Sequence, residues 1–324
     1  MTAPATTYVE LQVTSHFSFL RGASAPEELF AAAALMGHSA LGLCDRGSVA
    51  GMVRGLSGQE ATGVRLIPGA RVDLRDGRSL LLYPKDRAAW SRLTRLLSLG
   101  KARGGKANCW LDWSDVAAWA EGLVAVLLPD AADERTRLDL GELRELFGPD
   151  AYLALSFRRR PGDFARLHAL DALGRSVGVR CVAMGDILYH APERRPLQDV
   201  LTAIREKTTV DALGFKRERF TDRALKSPAE MERRFALFPD AIRATADIAA
   251  ACRFDLGEIR YQYPYEEVMA GRTAQEALAE LTEEGAARMF PGGVPPAYQK
   301  QIDHELRLIG ELGYAPRRIT GRGC

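Results

Sequence analysis

Apolar and polar positions along this chain follow two periods in turn, and the switches between them mark its elements. In the first half of Glu10 to Leu20 the side chains alternate in character as a strand's do, and Val13 and the β-branched Thr14 suit a pleated surface. The apolar-rich run from Pro26 to Met36 has proline in a first helical turn and Gly37 as its stop, so a helix is predicted there. Ser39 to Asp45 reads as a buried strand ending at a carboxylate, Gly47 to Ala61 as a helix weakened by glycines, and Val64 to Leu74 as a strand interrupted at Pro68-Gly69. After the turn Asp76-Gly77 a further strand runs from Ser79 to Tyr83.

The same alternation of strand and helix continues for about two hundred residues in all. Trp90, Leu93, Leu96 and Leu97 set a helix over Arg87 to Leu99, followed by a glycine- and lysine-rich stretch, Gly100 to Ala107, expected to be a mobile loop. Next come a short helix at Val116 to Ala120, a strand at Leu123 to Leu128, and a helix at Leu138 to Phe147 stopped by Gly148-Pro149. Strand Ala151 to Phe157, helix Asp163 to Val177 and strand Cys181 to Met184 then lead into Gly185-Asp186. This rhythm predicts a parallel sheet with helices outside. A barrel, with its active site at the carboxyl ends of the strands, and a doubly wound open sheet fit the spacing nearly equally.

Helices at Leu197 to Arg205, Pro228 to Phe238 and Ala241 to Ala251 close this part, the second with Ser227 and Glu230 placed for a capping box. Arg260 to Pro264 reads as an extended exit. Two amphipathic helices follow, Thr273 to Met289 and Ala297 to Leu312, separated by the boundary signal Pro291 to Pro296. With 324 residues, one large domain and a smaller appendage are expected.

Composition narrows the classes without choosing one. Hydrophobic content of 47% and charged content of 27% describe an ordinary soluble globular chain, and a net charge of +2 offers no global field for nucleic acid. Local clusters remain, at Lys101, Arg103 and Lys106, at Arg158-Arg159-Arg160, and at Lys216, Arg217 and Arg219, each read first as a solvated face. The 5 cysteines show no paired spacing, which points to a reducing cytoplasm with Cys44 and Cys181 as small buried residues. Met1 to Thr7 has no signal-peptide pattern, and no apolar run is long enough to span a bilayer. There is no GxSxG, P-loop or GxGxxG, and no cysteine with a convincing base nearby.

A resemblance rests on four blocks in order: Glu10 to Ser15 with Phe17 to Ser24, Ala40-Leu41-Gly42-Leu43-Cys44-Asp45, Leu66-Ile67-Pro68-Gly69, and Gly185-Asp186 leading into Arg194 to Ile204. Together they resemble the PHP (polymerase and histidinol phosphatase) domain of bacterial DNA polymerase III alpha subunits, closest to the error-prone type. The likeness extends from about Tyr8 to about Tyr314. It implies an α/β fold, a PHP-type distorted (β/α) barrel followed by a short helical segment from the start of the polymerase palm and thumb region. The implied domains are a PHP domain at 8–262, with its barrel core at about 8–205 and closing helices at about 206–262, and a truncated palm start at 263–324.

Phosphoesterases of this family hold two or three metal ions on histidines and carboxylates at the strand ends, since activating water against phosphate needs several converging N and O ligands. Carried over position by position, most of that set is lost. The first strand's His-x-His is Gln12 and Thr14, Asp-His is Asp45-Arg46, the glutamate after Pro-Gly is Arg71, the fourth strand's histidine is Ser79, and Asp-x-His ends in Leu188. Asp45 and Asp186 remain as vestigial candidates, with His16 and His190 as weaker ones. Arg46 or Arg71 is therefore expected to neutralise Asp45 or Asp186 in place of metal. His38 is expected as a surface or capping residue, and His168 and His304 as structural.

The resemblance thus implies the PHP portion of an error-prone DNA polymerase for replication and translesion repair, with a structural role, no catalytic residue and no cofactor in this chain. Magnesium is expected for the full-length polymerase, whose palm aspartates lie downstream. Implied partners are DNA, damage-tolerance replication proteins and the remainder of the polymerase. The ending Arg317 to Cys324 departs from the family, as a truncated or frameshifted product would. The alternatives are a metal-dependent phosphoesterase or exonuclease using Asp45, Asp186, His16 and His190, and a module binding a phosphate backbone through Lys101, Arg103 and Lys106.

Overall fold

Seven strands run in sequence order around one sheet: β1 (Glu10–Val13), β2 (Ala40–Arg46), β3 (Arg65–Asp73), β4 (Ser79–Pro84), β5 (Leu123–Leu127), β6 (Ala151–Ser156) and β7 (Arg180–Met184). The structure is a computed structural model, and it describes residues 8–259 and 271–316. The last strand returns to the first. Just past β7, Ile187 N donates to Gln12 O at 2.8 Å and Thr14 N donates to Ile187 O at 2.9 Å, so the ring is nearly closed. The barrel is the form adopted, as the family resemblance implies.

One expectation is corrected within this sheet. β4 pairs antiparallel with both β3 and β5, while the other neighbours are parallel. Only about five residues separate β3 from β4, and a parallel return needs a crossover of a dozen or more. The Asp76-Gly77 turn, with Gly77 at φ 96, makes a hairpin instead.

Alternation along the strands sorts the core into layers. Ile67, Leu81, Tyr83, Val126 and Met184 face the barrel interior, which is filled further by Ala244, Ile248 and Ala249 of α9 (Pro239–Ala251). Facing outward, Leu41, Leu43 and Leu66 pack with Leu29 and Phe30 of α1 (Pro26–Leu35) and Met52 of α2 (Met52–Thr62). On the other flank Val72, Leu80 and Leu82 meet α3 (Arg87–Gly104), α4 (Trp113–Ala118), α5 (Glu134–Phe147) and α6 (Asp163–Val177). Cys44 and Cys181 are buried among these residues; Cys324 lies outside the described ones.

The predicted mobile loop at Gly100 to Ala107 is largely helix, since α3 runs on to Gly104 and stops at Gly105, φ 65. Gly100 is there for close approach: a Cβ would sit 2.6 Å from Cys109 Sγ. His38 is also corrected. It is buried, its Nε2 lies 2.8 Å from Lys226 O, and its ring meets Tyr8 edge-on at 6.3 Å. His168 packs its ring 5.0 Å from Phe238.

After β7 the chain forms α7 (Arg195–Glu206) and α8 (Pro228–Arg234) before α9. Ser227 caps α8, its Oγ accepting from Glu230 N at 3.3 Å. The described residues form two compact units, 8–259 and 271–316. The second is a helix pair, α10 (Ala274–Met289) and α11 (Pro296–Glu311). Thr273 and Glu276 form a capping box, Gln275 Nε2 donates to Leu306 O at 2.8 Å, and Phe290 stacks near Tyr298 at 5.2 Å. Met289, Leu312 and Tyr314 are exposed. Arg260 to Pro264 and Arg317 to Cys324, for which an extended exit and a divergent tail are expected, lie outside the described residues. Among the described residues no helix is long and apolar enough to cross a membrane.

Candidate functional site

The carboxyl ends of the parallel strands, with the start of β4, bring the sequence-predicted positions to one end of the barrel. Gln12, Arg71, Ser79 and Arg158 line a cavity of about 430 Å3 there, together with Asp163 and Arg166. Asp45 and Asp186 are 0% and 1% exposed, so each needs a partner to remain charged. They find different ones.

Asp186 sits in the left-handed region, φ 51, which aspartate tolerates better than most residues. The preceding Gly185 permits the turn, because a Cβ on it would lie 2.3 Å from Glu10 Oε2. The carboxylate accepts from Gln12 Nε2 at 3.0 Å, pairs with Arg223 Nη2 at 2.6 Å and pairs also with Arg158. Arg223 Nε donates to Asp186 O at 2.9 Å as well. Burial alone would push the Asp186 carboxyl up, but Arg158 and Arg223, aided by Arg71, outweigh it and hold it well below the usual carboxylate range. Burial pushes Arg223 down to about 10, which leaves it charged at neutral pH.

Among the described residues Asp45 meets no guanidinium. Its carboxylate accepts from Ser15 N at 2.9 Å, from Ser15 Oγ at 2.9 Å and from Ser18 Oγ at 2.8 Å. Here burial prevails over these hydrogen bonds and raises the carboxyl above its ordinary value.

The expectation that Arg46 or Arg71 neutralises Asp45 or Asp186 is therefore corrected. Both arginines pair with Asp73, Arg71 at 3.0 Å, and Arg71 also donates to Ser79 Oγ at 3.2 Å. Strand parity explains this. Arg46 is in register with Arg71, and Asp73 lies two residues on, so all three share the interior face with Ser79, whereas Asp45, in register with Ala70, faces the opposite side with Leu41 and Leu43.

His16 and His190 do not join the carboxylates. Both turn to Ser24, His16 Nδ1 lying 3.2 Å from its carbonyl and His190 Nδ1 2.8 Å from its Oγ. Leu188 is buried with Ala23, Tyr189 and Ala224, and Thr14 is buried, its backbone closing the barrel. The cation clusters are likewise engaged: Arg159 and Arg160 pair with Asp222 and Glu218, Arg217 with Asp199, Lys216 with Glu206 and Arg103 with Asp115.

Two groups escaped the sequence reading. Glu10 is buried inside the barrel's closure, accepting from Tyr8 OH at 2.6 Å, Gln12 N at 2.9 Å and Gly185 N at 3.0 Å, and burial raises its carboxyl. An acid between Val9 and Leu11, at the start of a buried strand, was the available signal. Arg223 had none, since it lies in an irregular segment between α7 and α8.

Metal of the family's type does not fit this donor set. The family's ligand positions hold two arginines already committed to Asp73, one surviving acid is clamped by guanidinium groups and the other is turned away on hydroxyls. Among the described residues no three His, Cys, Asp or Glu side chains converge as a metal-binding group.

Comparison with known proteins identifies the family of the barrel. The PHP domain model matches residues 10–151. Error-prone DNA polymerase 2 of Rhizobium meliloti is 52% identical over 97% of this chain and 29% of its own length. Error-prone DNA polymerase 3 of Agrobacterium fabrum is 49% identical over the same shares, and an error-prone DNA polymerase of Caulobacter vibrioides is 43% identical over 97% and 29%. The chain spans under a third of the length of the curated relatives it matches. A PHP barrel at its start and this identity along nearly its whole length make the chain a homologue of the error-prone DNA polymerases.

Proposed function

We propose that this chain is the PHP-domain portion of an error-prone DNA-directed DNA polymerase acting in replication and in synthesis past damaged DNA, and that its own role there is structural. In this role its partners are DNA, the remainder of the polymerase and damage-tolerance replication proteins, in the cytoplasm. The observation that carries the structural role is the Arg158–Asp186–Arg223 clamp. A carboxylate at the centre of the family's hydrolytic site is held by two cations of the protein's own, in a cleft whose other ligand positions are Gln12, Arg71 and Ser79. A divalent ion would have to displace a guanidinium and then sit among further positive charges. No step of phosphoryl transfer or hydrolysis is assigned to residues of this chain, and magnesium is expected to serve the polymerase chemistry elsewhere.

The test is elemental analysis of the purified chain together with release of phosphate from a phosphomonoester, and of nucleotides from single-stranded DNA, in added manganese or zinc. The expected outcome is no stoichiometric metal and no hydrolysis. Stoichiometric metal with a hydrolytic activity abolished by Asp186→Asn would overturn the structural role in favour of the phosphoesterase alternative.

A further inference from the structure

A second cavity, of about 480 Å3, lies beside the first around the loop after β1 and the end of α3. Its wall carries Arg21, Arg46, Lys101 and Arg205 against a single carboxylate, Asp73. That carboxylate is already shared between Arg46 and Arg71 and accepts from Ser79 Oγ at 2.6 Å. Arg205 is held over the cavity by the hydrogen bond its Nη1 donates to Leu20 O at 2.8 Å, with Glu206 on its Nε at 3.3 Å. Arg21 is the group left over. Its guanidinium is half-buried, makes no ion pair among the described residues and is repelled by Arg46 and Arg205, with Asp73 its one attractive neighbour. A partly desolvated cation facing others of its own sign is unfavourable unless an anion joins it.

The same wall presents aromatic rings to solvent. Phe19 is 79% and Trp110 50% exposed, and Phe17 beside them is partly exposed. Leu20 and Ala107, which adjoin these groups in the wall, hold left-handed backbone at φ 58 and φ 67, a costly conformation for residues other than glycine. Clustered cations beside exposed rings are the features that hold a nucleic-acid single strand, charges for the backbone and rings for the unstacked bases. The whole chain's net charge of +2 makes this local excess the more distinct.

We propose that this cavity binds single-stranded DNA, seating a phosphodiester among Arg21, Arg46, Lys101 and Arg205 and stacking an adjacent base on Trp110. The choice of DNA rests on the polymerase role proposed above. The two cavities share no lining residue, and Asp73 links them, pairing with Arg46 in this one and with Arg71 and Ser79 of the other.

The experiment is fluorescence anisotropy of a labelled oligothymidylate titrated with the full chain across a range of salt, on wild type, Arg21→Ala, Lys101→Ala, Trp110→Ala and Trp110→Phe. Melting temperature serves as the check that each variant folds, and exposed Lys101 guards against loss of fold at half-buried Arg21. Binding should weaken with salt, and each lost phosphate contact should reduce the slope of log affinity against log salt by about 0.7. Trp110→Ala should weaken binding roughly fivefold to a hundredfold, as loss of one stacked base does, with Trp110→Phe in between. Wild-type affinity in all folded variants overturns the proposal. So does displacement of the oligonucleotide by inorganic phosphate with no effect of Trp110→Ala, which would leave an anion site without strand recognition. No oligonucleotide binding, with no metal and no hydrolysis, overturns the strand site while leaving the structural role standing; metal-dependent hydrolysis with normal strand binding does the reverse.

Discussion

Asp45, in β2, and Asp186, just past β7, stand on either side of β1 in one barrel, both fully buried, and the protein stabilises them by opposite means. Around Asp186 the surroundings bring full positive charges, Arg158 and Arg223, and the carboxyl is held far below its ordinary value. Around Asp45 they bring neutral donors from Ser15 and Ser18, and burial lifts the carboxyl above it. Hydroxyl dipoles can satisfy lone pairs without matching a net charge, whereas guanidinium groups match the charge and in doing so become dependent on it. The Asp45 site should therefore tolerate a neutral amide, and the Asp186 site should not.

The largest effect is expected at the clamp. Asp186→Asn removes the carboxylate that Arg158 and Arg223 share, leaving Arg223 with Glu218 at 3.8 Å, and Arg223→Ala leaves the Asp186 carboxylate half-matched. Each should cost about 3–5 kcal/mol in urea or guanidinium unfolding at neutral pH. A cost under about 1 kcal/mol for either would show that solvent reaches the pair, as at exposed ion pairs, and would erase the contrast with Asp45. Arg158→Ala, at the better-exposed partner, should cost less than Arg223→Ala.

How far this contrast could be read from sequence depends on how local each cause is. The strands were legible, because alternation and punctuation by Pro26, Gly37 and Asp76-Gly77 are short-range signals, whereas the choice of a barrel over an open sheet came from the family resemblance. The expected replacement of ligands at Gln12, Arg46, Arg71, Ser79 and Leu188 came from the resemblance and not from any local pattern. The partners were not legible. Arg158 sits among three arginines that look alike in sequence, and Arg223 lies 37 residues from the acid it serves in an irregular segment. Parity was available in principle: Arg46 and Asp45 are adjacent, so on a strand they must face apart, and assigning Arg46 to Asp45 ignored that. The antiparallel β4 was signalled by its short hairpin connection, which the regular βαβ rhythm around it obscured.

The next effect sharpens the comparison from the Asp45 side. Gly51 precedes α2, and a Cβ there would lie 2.6 Å from Asp45 Oδ2 and 3.1 Å from Ser15 Oγ. Its φ of −76 is ordinary for alanine, so Gly51→Ala tests crowding alone. A loss of about 1–3 kcal/mol is expected, the usual range for overpacking. Combined with Asp45→Ala, which opens space at the point of contact, the cost should shrink well below the sum of the two single losses. Additive losses would mean that the crowding is relieved elsewhere and that the Asp45 pocket is less rigid than its contacts with Ser15 and Ser18 imply.

The smallest effect is the most discriminating, because it separates the two acids by sign. Asp45→Asn keeps an acceptor oxygen for Ser15 N and Ser18 Oγ and places an amide where Ser15 Oγ can turn to accept, so the cost at neutral pH should stay within about 1 kcal/mol. Its effect on pH dependence should exceed its effect on stability. From the ordinary aspartate value of 3.8 up to the raised value in the fold, native Asp45 binds a proton that the unfolded chain has released, so stability falls as pH rises through that window. Asp186 acts in the opposite sense: its contribution is present above 3.8 and is lost as pH falls below that value toward its depressed one. Unfolding free energy measured against pH should thus lose its decline just above 3.8 in Asp45→Asn while keeping its acid-side loss, and Asp186→Asn should lose the acid-side loss while keeping the decline. If Asp45→Asn instead removes stability in acid, Asp45 is charge-matched after all, by a cation outside its shell of serines, and the two sites are one kind.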